Sequence, residues 1–134
     1  MGRGADFSGV ARGASLLPIQ VFSHYSGADC GGSGDCALSA ESDQIAALEM
    51  VYELRSTFSI ASANLSLGGD AFPSQVQCDA ASPAMKSAID LLRGAGIATV
   101  IASGNEGQAS AISAPGCISS AISVGATSKS DELL

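Results

Sequence analysis

The apolar positions of the chain alternate between short continuous runs and stripes with helical spacing. Continuous runs are typical of strands that are buried on both faces of a sheet. They predict strands at residues 15–22, 60–65, 97–102 and 119–126. Helical stripes separate the first three strands, and a loop precedes the fourth. This order predicts an α/β fold, a three-layer α/β/α arrangement with a mainly parallel sheet.

The first helix is predicted to begin at Ser42 and to end near residues 55–57. Asp43 places a negative charge in its first turn, which the helix dipole favours. One face of this helix is apolar and contains Ile45, Leu48, Val51 and Tyr52. The segment before it, residues 23–41, is polar and rich in glycine, so we expect a long surface loop there.

The second helix is predicted to begin at Pro83, with Ser82 as its N-cap and proline in the first helical position. Its apolar stripe consists of Met85, Ala88, Ile89 and Leu92. Gly94 and Gly96 predict where it ends. Residues 70–81, between the second strand and this helix, are predicted to form a loop.

Size and charge restrict the function. The 134 residues suffice for one domain with a packed core, so we predict no second domain. The net charge is −7 and the few Lys and Arg are not clustered, which argues against nucleic acid and against an anionic membrane surface as partners. No apolar run reaches the ~18 residues of a membrane span, and the N-terminus lacks a signal-peptide pattern.

The four cysteines favour disulfides. Five residues separate Cys30 from Cys36, which is too many for a CxxC motif. A disulfide between them that closes this glycine-rich loop is favoured, with Cys78–Cys117 as the second disulfide. Four cysteines allow three pairings. Free thiols in a cytosolic domain and a zinc site remain alternatives, whereas disulfides would imply export.

Ligands of parallel sheets bind beyond the carboxyl ends of the strands, and two strand exits attract attention. Asn105 offers two uncharged N–H donors after a buried strand, and Gly104 and Gly107 would let another backbone approach closely. Residues 66–68 could present an extended edge that pairs with a peptide. Taken alone, the pattern at Asn105 is more typical of an ordinary turn.

Four stretches, in this order, carry a family resemblance: GVARGASLLPIQVF, IASANLSLGG, AIDLLRGAGIATVIASGNEG and SAPGCISSAISVGAT. Together they resemble the subtilisin-like serine peptidases (subtilases, peptidase family S8) over residues 9–131. The most specific pieces are N-x-S-L-G-G and A-x-G-N-E-G, which one helix and one strand separate. Cys78 before the helix and Cys117 after a proline look like a secreted bacterial branch of that family.

The resemblance implies a role for each matching residue. Asn105 matches the asparagine that donates a hydrogen bond to the oxyanion of the reaction intermediate. The segment that pairs with the substrate backbone is matched by Ser66, Leu67 and Gly68. The other wall of the S1 pocket, which holds the substrate side chain before the scissile bond, is matched by Ala102, Ser103 and Gly104. Glu106 matches the rim of that pocket, where its charge would favour basic or polar side chains.

The resemblance also implies residues that this sequence lacks. Subtilases work through a Ser-His-Asp triad, and the motifs D-[TS]-G, H-G-T-H and G-T-S that carry it do not occur here. His24, the one histidine, does not match the family's histidine motif and is expected in a surface loop. We therefore expect residues 1–134 to be the central part of one catalytic domain. The longer protein would hydrolyse peptide bonds, and the isolated chain would be inactive.

No cofactor is identified from the sequence, although calcium sites are common in the family. Asp6, Asp29, Asp35, Asp70 and Asp79 are loop acids that could bind calcium, but they lack the spacing of a known calcium loop. We also expect the isolated chain either to self-associate or to rearrange its terminal segments, because a sheet cut within a domain exposes strand edges and apolar faces.

Two other functions compete with the peptidase. A stand-alone module with a subtilase-like sheet could bind extended peptides along residues 66–68 without catalysis. A nucleotide-binding domain is the other, but neither G-x-G-x-x-G nor G-x-x-x-x-G-K-[ST] occurs at a predicted strand–helix junction.

Overall fold

The computed structural model of the protein describes residues 9–32, 34–130 and 132. Its strands are β1 (Ser23–Ser26), β2 (Asp35–Leu38), β3 (Ser62–Leu65), β4 (Ala71–Phe72), β5 (Ala98–Ala102), β6 (Ile112–Ser113) and β7 (Ile122–Val124). Its helices are α1 (Glu41–Leu54), α2 (Gln75–Ala81) and α3 (Pro83–Gly94), with a 3₁₀ turn over Gly27–Cys30. None of the helices in this part of the chain has the length and apolar character that crossing a membrane requires.

A parallel sheet with the strand order β3, β5, β7 forms the centre of the fold. Leu65 on β3 pairs with Ile101 on β5, and Ala102 on β5 pairs with Val124 on β7. The predicted α/β class and the predicted parallel sheet are therefore confirmed, with β5 as the central strand. Because β3 and β5 run in the same direction and in this register, their carboxyl ends lie side by side.

The core lies between this sheet and the helices α1 and α3. The four apolar residues predicted for the second helix are all buried in α3: Met85, Ala88, Ile89 and Leu92. On α1, Leu48 and Val51 are buried as predicted, together with Gln44. The buried amide of Gln44 is satisfied because it donates to the hydroxyl of Ser39 at 3.2 Å.

The segment predicted as a loop at residues 70–81 instead contains β4 and α2. Ser74 caps α2, since its Oγ accepts a hydrogen bond from the backbone N–H of Gln77 at 3.3 Å. The spacing S-x-x-Q is a capping-box pattern that would have indicated this helix. α2 leads directly into α3, and Ser82 at the junction is the N-cap residue of α3 with Pro83 at the first helical position, as predicted, although its side chain makes no capping hydrogen bond. Its backbone N–H donates instead to the carbonyl of Cys78, which ends α2.

α2 is fastened to the segment before β7 in two ways. Cys78, which is fully buried, is bonded to Cys117, which is 3% exposed. Beside this disulfide, the carboxylate of Asp79 accepts the backbone N–H of Ser119 at 3.0 Å and its hydroxyl at 2.6 Å. The disulfide and the carboxylate therefore hold the same two segments together.

Replacing Asp79 by alanine is expected to lower the free energy of unfolding by about 1–2 kcal/mol, because both hydrogen bonds to Ser119 are lost. Asp79→Asn should cost less, since its amide can still accept the N–H. Asp29→Ala is the matched control, because this exposed aspartate makes no side-chain hydrogen bond with the described residues. Urea unfolding of the three variants measures the effect, and equal losses for Asp79→Ala and Asp29→Ala would contradict the assignment.

The segment predicted as a loop at residues 23–41 contains the antiparallel hairpin β1–β2 and the first residue of α1. Cys30 is bonded to Cys36 across the end of this hairpin. His24 lies on the hairpin, with its Nε2 atom 3.6 Å from a carboxylate oxygen of Asp35 and with 72% of its side chain exposed. His24 is thus a surface residue, as expected.

Residues 15–22 form no regular secondary structure, so the strand predicted there is wrong. Residues 17–22 face β3 and α1 across a cleft of about 380 Å³, and Ala63 and Leu65 line the far side. An extended segment becomes a strand only when it pairs with another, and none of the described strands pairs with residues 15–22. The apolar pattern indicated burial, but the partner strand was not apparent from it.

The second face of the sheet is open at the edge formed by β7. Ile122 pairs with Val100 and Val124 pairs with Ala102. Val100 and Ala102 flank the buried Ile101 on β5, so their side chains and those of Ile122 and Val124 lie on the opposite face of the sheet, away from the helices. Ile122 and Val124 remain 51% and 48% exposed within the described residues. The α/β fold is incomplete in this respect, as the sequence led us to expect.

Candidate active site

The two strand exits singled out from the sequence meet at one edge of the parallel sheet. Residues 66–68 follow β3, and residues 103–106 follow β5, directly beside them. A Cβ atom added to Gly68 would lie 3.9 Å from the Cα atom of Gly104. The two segments are therefore close enough to form the walls of a single cleft, which the sequence could only suggest from topology.

Strand β6 and the residue that follows it, Ala114, connect both segments through backbone hydrogen bonds. The backbone N–H of Ser113 donates to the carbonyl of Ser103 at 2.9 Å. On the other side, the N–H of Ala114 donates to the carbonyl of Asp70, and the N–H of Gly69 donates to the carbonyl of Ala114, each at 2.8 Å. β6 thus fixes the distance between the end of the first wall and the beginning of the second.

Two glycines make this close approach possible. Gly104 has φ +121°, and a Cβ atom there would lie 2.3 Å from Oγ of Ser113 and 2.7 Å from Oε2 of Glu106. A Cβ atom on Gly116 would lie 2.4 Å from the carbonyl oxygen of Ala102. A side chain at Gly104 would displace the side chains of Ser113 and Glu106 and would strain the backbone at its positive φ, and one at Gly116 would displace the backbone of Ala102.

Polar groups at this edge are left available for a ligand. Asn105 is exposed, and its side-chain amide makes no hydrogen bond with the described residues. Within the described residues, no other backbone group forms a hydrogen bond with the backbone of Leu67 or Gly68. Asn64 on β3 donates its amide hydrogen to the hydroxyl of Ser66 at 3.0 Å, which orients the first residue of that wall.

The carboxylate of Glu106 turns back toward the protein. Its Oε2 atom accepts the hydroxyl hydrogen of Ser113 and the backbone N–H of Asn105, both at 2.9 Å. The hydrogen bond from Ser113, followed by that from the backbone of Asn105, lowers the pKa of this carboxyl below its usual value. Glu106 is therefore ionised at neutral pH, with one oxygen directed at these two donors.

Sequence reasoning missed two residues of this site, Ser113 and Gly116. Both lie in the stretch GQASAISAPGC, which was predicted as a loop. They also belong to SAPGCISSAISVGAT, a stretch that carries the family resemblance, but no role was assigned to either residue. Ser113 is 2% exposed and lies on β6, which pairs with β4. A pattern of Ser, Ala and Gly does not distinguish such a strand from an ordinary loop.

The residues considered for metal binding do not come together. No group of three or more His, Cys, Asp or Glu side chains suited to a metal ion occurs in the described ranges. Asp79 is engaged by Ser119, and all four cysteines are in disulfides, so their sulfur atoms are not free to bind zinc. Asp6 lies outside the described residues. The described acids therefore do not fit a calcium site.

The geometry defines a class of protein: a parallel α/β domain in which the segments that follow two adjacent strands meet at the carboxyl edge of the sheet, where ligands of such sheets bind. The model of the subtilase family matches residues 1–134, and the chain belongs to that family. The chain is similar to an extracellular serine proteinase of Thermus sp. (strain Rt41A), with 33% identity over 128 residues. This match covers 96% of the chain but only 26% of the relative. No solved structure matches the chain significantly.

Proposed function

We propose that this chain forms the oxyanion-binding side of the active site in a longer, subtilisin-like serine endopeptidase. The observation that carries this proposal lies at neighbouring strand exits: within the described residues, the side-chain amide of Asn105 and the backbone of Leu67 and Gly68 have no hydrogen-bond partner. Membership of the subtilase family supports the reaction class. In such an enzyme, a serine supplied by another part of the protein attacks the carbonyl carbon of the scissile peptide bond.

Asn105 acts when negative charge develops on the carbonyl oxygen. The attack moves an electron pair onto that oxygen, and an N–H of the Asn105 side chain donates a hydrogen bond to it. A histidine elsewhere in the longer protein takes the serine proton and then gives it to the leaving amine. Because the bond strengthens as charge develops, it stabilises the transition state more than the bound substrate.

The two walls of the cleft would bind the substrate as an extended strand. Backbone N–H and C=O groups in the segment Ser66, Leu67 and Gly68 pair with the substrate backbone. On the other side, Ala102, Ser103 and Gly104 form the opposite wall of the pocket for the residue before the scissile bond. Small side chains and glycine suit this role, because they let the two backbones approach each other.

We further propose that the longer protein is secreted, from a bacterium. Both disulfides support this placement, since such bonds form and persist outside the reducing cytosol. The name of the Thermus relative, an extracellular serine proteinase, points the same way. The substrate would then be protein or peptide met outside the cell.

A fluorophosphonate probe, which reacts with activated serines, tests the peptidase. The isolated chain should not be labelled, because its sequence contains no triad motif and its oxyanion site has no nucleophile to assist. The longer gene product should be labelled with about one probe per molecule, the stoichiometry of a single nucleophilic serine. Stoichiometric labelling of the isolated chain, or none of the longer product, would contradict the proposal.

A non-catalytic peptide-binding module is the second candidate, favoured by the same free backbone at Leu67 and Gly68. This function predicts that the isolated chain binds extended peptides with measurable affinity. Calorimetric titration with an unstructured peptide distinguishes the two functions, because a substrate site that is completed only in the longer protein should give no measurable heat of binding.

We also propose that the isolated chain self-associates through the open sheet face at Ile122 and Val124, two exposed apolar residues side by side. Light scattering should give a molar mass that rises with concentration. Val124→Lys should lower the molar mass at a given concentration, and Val76→Lys is the control, because Val76 is exposed on α2. A concentration-independent monomer would contradict self-association.

A further inference from the structure

We propose that Glu106 is a positioning residue that holds the backbone of Asn105 in place for oxyanion binding. This inference rests on the proposed function and goes beyond it, because it assigns Glu106 a role that acts through Asn105. The sequence instead suggested that the charge of Glu106 selects the substrate side chain. Positioning of Asn105 depends on the hydrogen-bond acceptor of the Glu106 side chain, whereas selection of the substrate depends on its net charge.

The contact is specific in its geometry. A single oxygen, Oε2 of Glu106, accepts both the backbone N–H of Asn105 and the hydroxyl hydrogen of Ser113 at 2.9 Å. Both donors are therefore directed at the same point. Gly104 leaves room for this oxygen, which would lie 2.7 Å from any Cβ atom placed there. The turn at Asn105 is thus built around the carboxylate.

Ser113 gives this contact a rigid anchor. Its side chain is almost fully buried, and its backbone N–H is bound to the carbonyl of Ser103. β6 pairs with β4 on its other side. Through Glu106, the exposed residue Asn105 is connected to the part of the fold that sets the distance between the two walls.

Positioning of this kind matters for an oxyanion donor. A donor stabilises the transition state fully only when it needs no reorganisation as charge develops. Asn105 lies in an exposed turn, and its N–H has no partner in the described residues other than Glu106. Without the carboxylate, the turn can sample other backbone conformations, and the side-chain amide of Asn105 moves with it.

Amide hydrogen exchange of the isolated chain, measured by NMR, tests the contact directly and needs no peptidase activity. In Glu106→Ala the N–H of Asn105 should exchange about tenfold faster, because its one hydrogen bond is lost. Glu106→Gln should restore most of the protection, since the amide oxygen can accept the same two hydrogen bonds. Ser113→Ala should be intermediate, because the carboxylate stays but loses its anchor.

The controls separate a local effect from unfolding. Glu49→Ala removes an exposed carboxylate on α1 and should leave the exchange of Asn105 unchanged. The amides of β5 should stay protected in every variant. Unchanged exchange of Asn105 in Glu106→Ala would overturn the proposal, and so would equal exchange in the Gln and Ala variants, since the acceptor would then be irrelevant.

Kinetics of the longer protein provide the second test. Positioning predicts that Glu106→Ala and Ser113→Ala lower kcat, that KM changes little, and that Glu106→Gln loses less than Glu106→Ala. Selection by charge predicts instead that Glu106→Gln and Glu106→Ala both reduce the preference for basic over neutral substrates, and that Ser113→Ala leaves this preference unchanged. That result would overturn the proposal. If the longer protein proves inactive, the proposed function fails while the exchange result still decides whether Glu106 holds Asn105.

Discussion

Replacing Asn105 by alanine is expected to lower kcat of the longer protein by a factor of about 10²–10³, equivalent to about 2.7–4 kcal/mol of transition-state stabilisation. This magnitude is the one established for the corresponding asparagine of the family and is not obtained from this structure. KM should change little, because the hydrogen bond forms mainly as charge develops on the carbonyl oxygen. Steady-state kinetics on a peptide substrate measure both constants.

Two further variants make this result specific. Asn105→Asp keeps the size of the side chain but replaces its N–H donors with a negative charge, so its kcat should fall at least as far. Gln108→Ala removes another exposed amide side chain from the same loop and should have little effect. A loss below about threefold for Asn105→Ala, far under what one oxyanion donor supplies, would contradict the role of this residue.

Removing the disulfide between Cys78 and Cys117 is expected to have the largest effect on stability. The bridge spans 39 residues, and the entropy of closing a loop of that length corresponds to about 4 kcal/mol. Replacing both cysteines by alanine should therefore lower the free energy of unfolding by roughly that amount. Both side chains are buried, so the lost packing adds to the cost.

The second disulfide provides the matched comparison. Cys30 and Cys36 are only 6 residues apart in the hairpin β1–β2, so the same relation gives about 2 kcal/mol for their bridge. Guanidinium unfolding of the two double alanine variants compares the bridges directly. A larger loss from the hairpin bridge would contradict the view that the long bridge, which joins α2 to the segment before β7, stabilises the domain more.

The parts of the fold that were predictable carry their signal locally. α3 shows apolar residues at helical spacing, with proline at the first position, and all four predicted residues are buried. β5 is a short apolar run between glycine-rich segments and is the central strand. In both, the apolar pattern that predicts burial lies within the element itself and is visible without knowledge of the elements that pack against it.

Other parts depend on contacts that a single stretch of sequence does not reveal. Residues 15–22 have the composition of a strand, yet strand formation requires a neighbour that the described residues do not provide. The hairpin β1–β2 is mostly exposed, so it has no apolar pattern to predict it. α2 is the exception, because the capping pattern at Ser74 and Gln77 was present in the sequence.

The same division holds for the candidate site. Asn105 and the segment 66–68 were identified because their motifs resemble those of a family. The position of Ser113, and with it the inward orientation of Glu106, depends on the pairing of β6 with β4 and on the backbone of Gly104. These contacts join parts of the chain that carry no shared motif, so they became visible only in three dimensions.

A structure of the longer protein bound to a peptide boronic acid would show whether Asn105 binds the oxyanion, because the tetrahedral boronate imitates the reaction intermediate. We expect a boronate oxygen within hydrogen-bond distance of Nδ2 of Asn105, and a peptide backbone paired with Ser66, Leu67 and Gly68. A boronate bound away from Asn105, with a peptide that does not touch the segment after β3, would contradict this expectation.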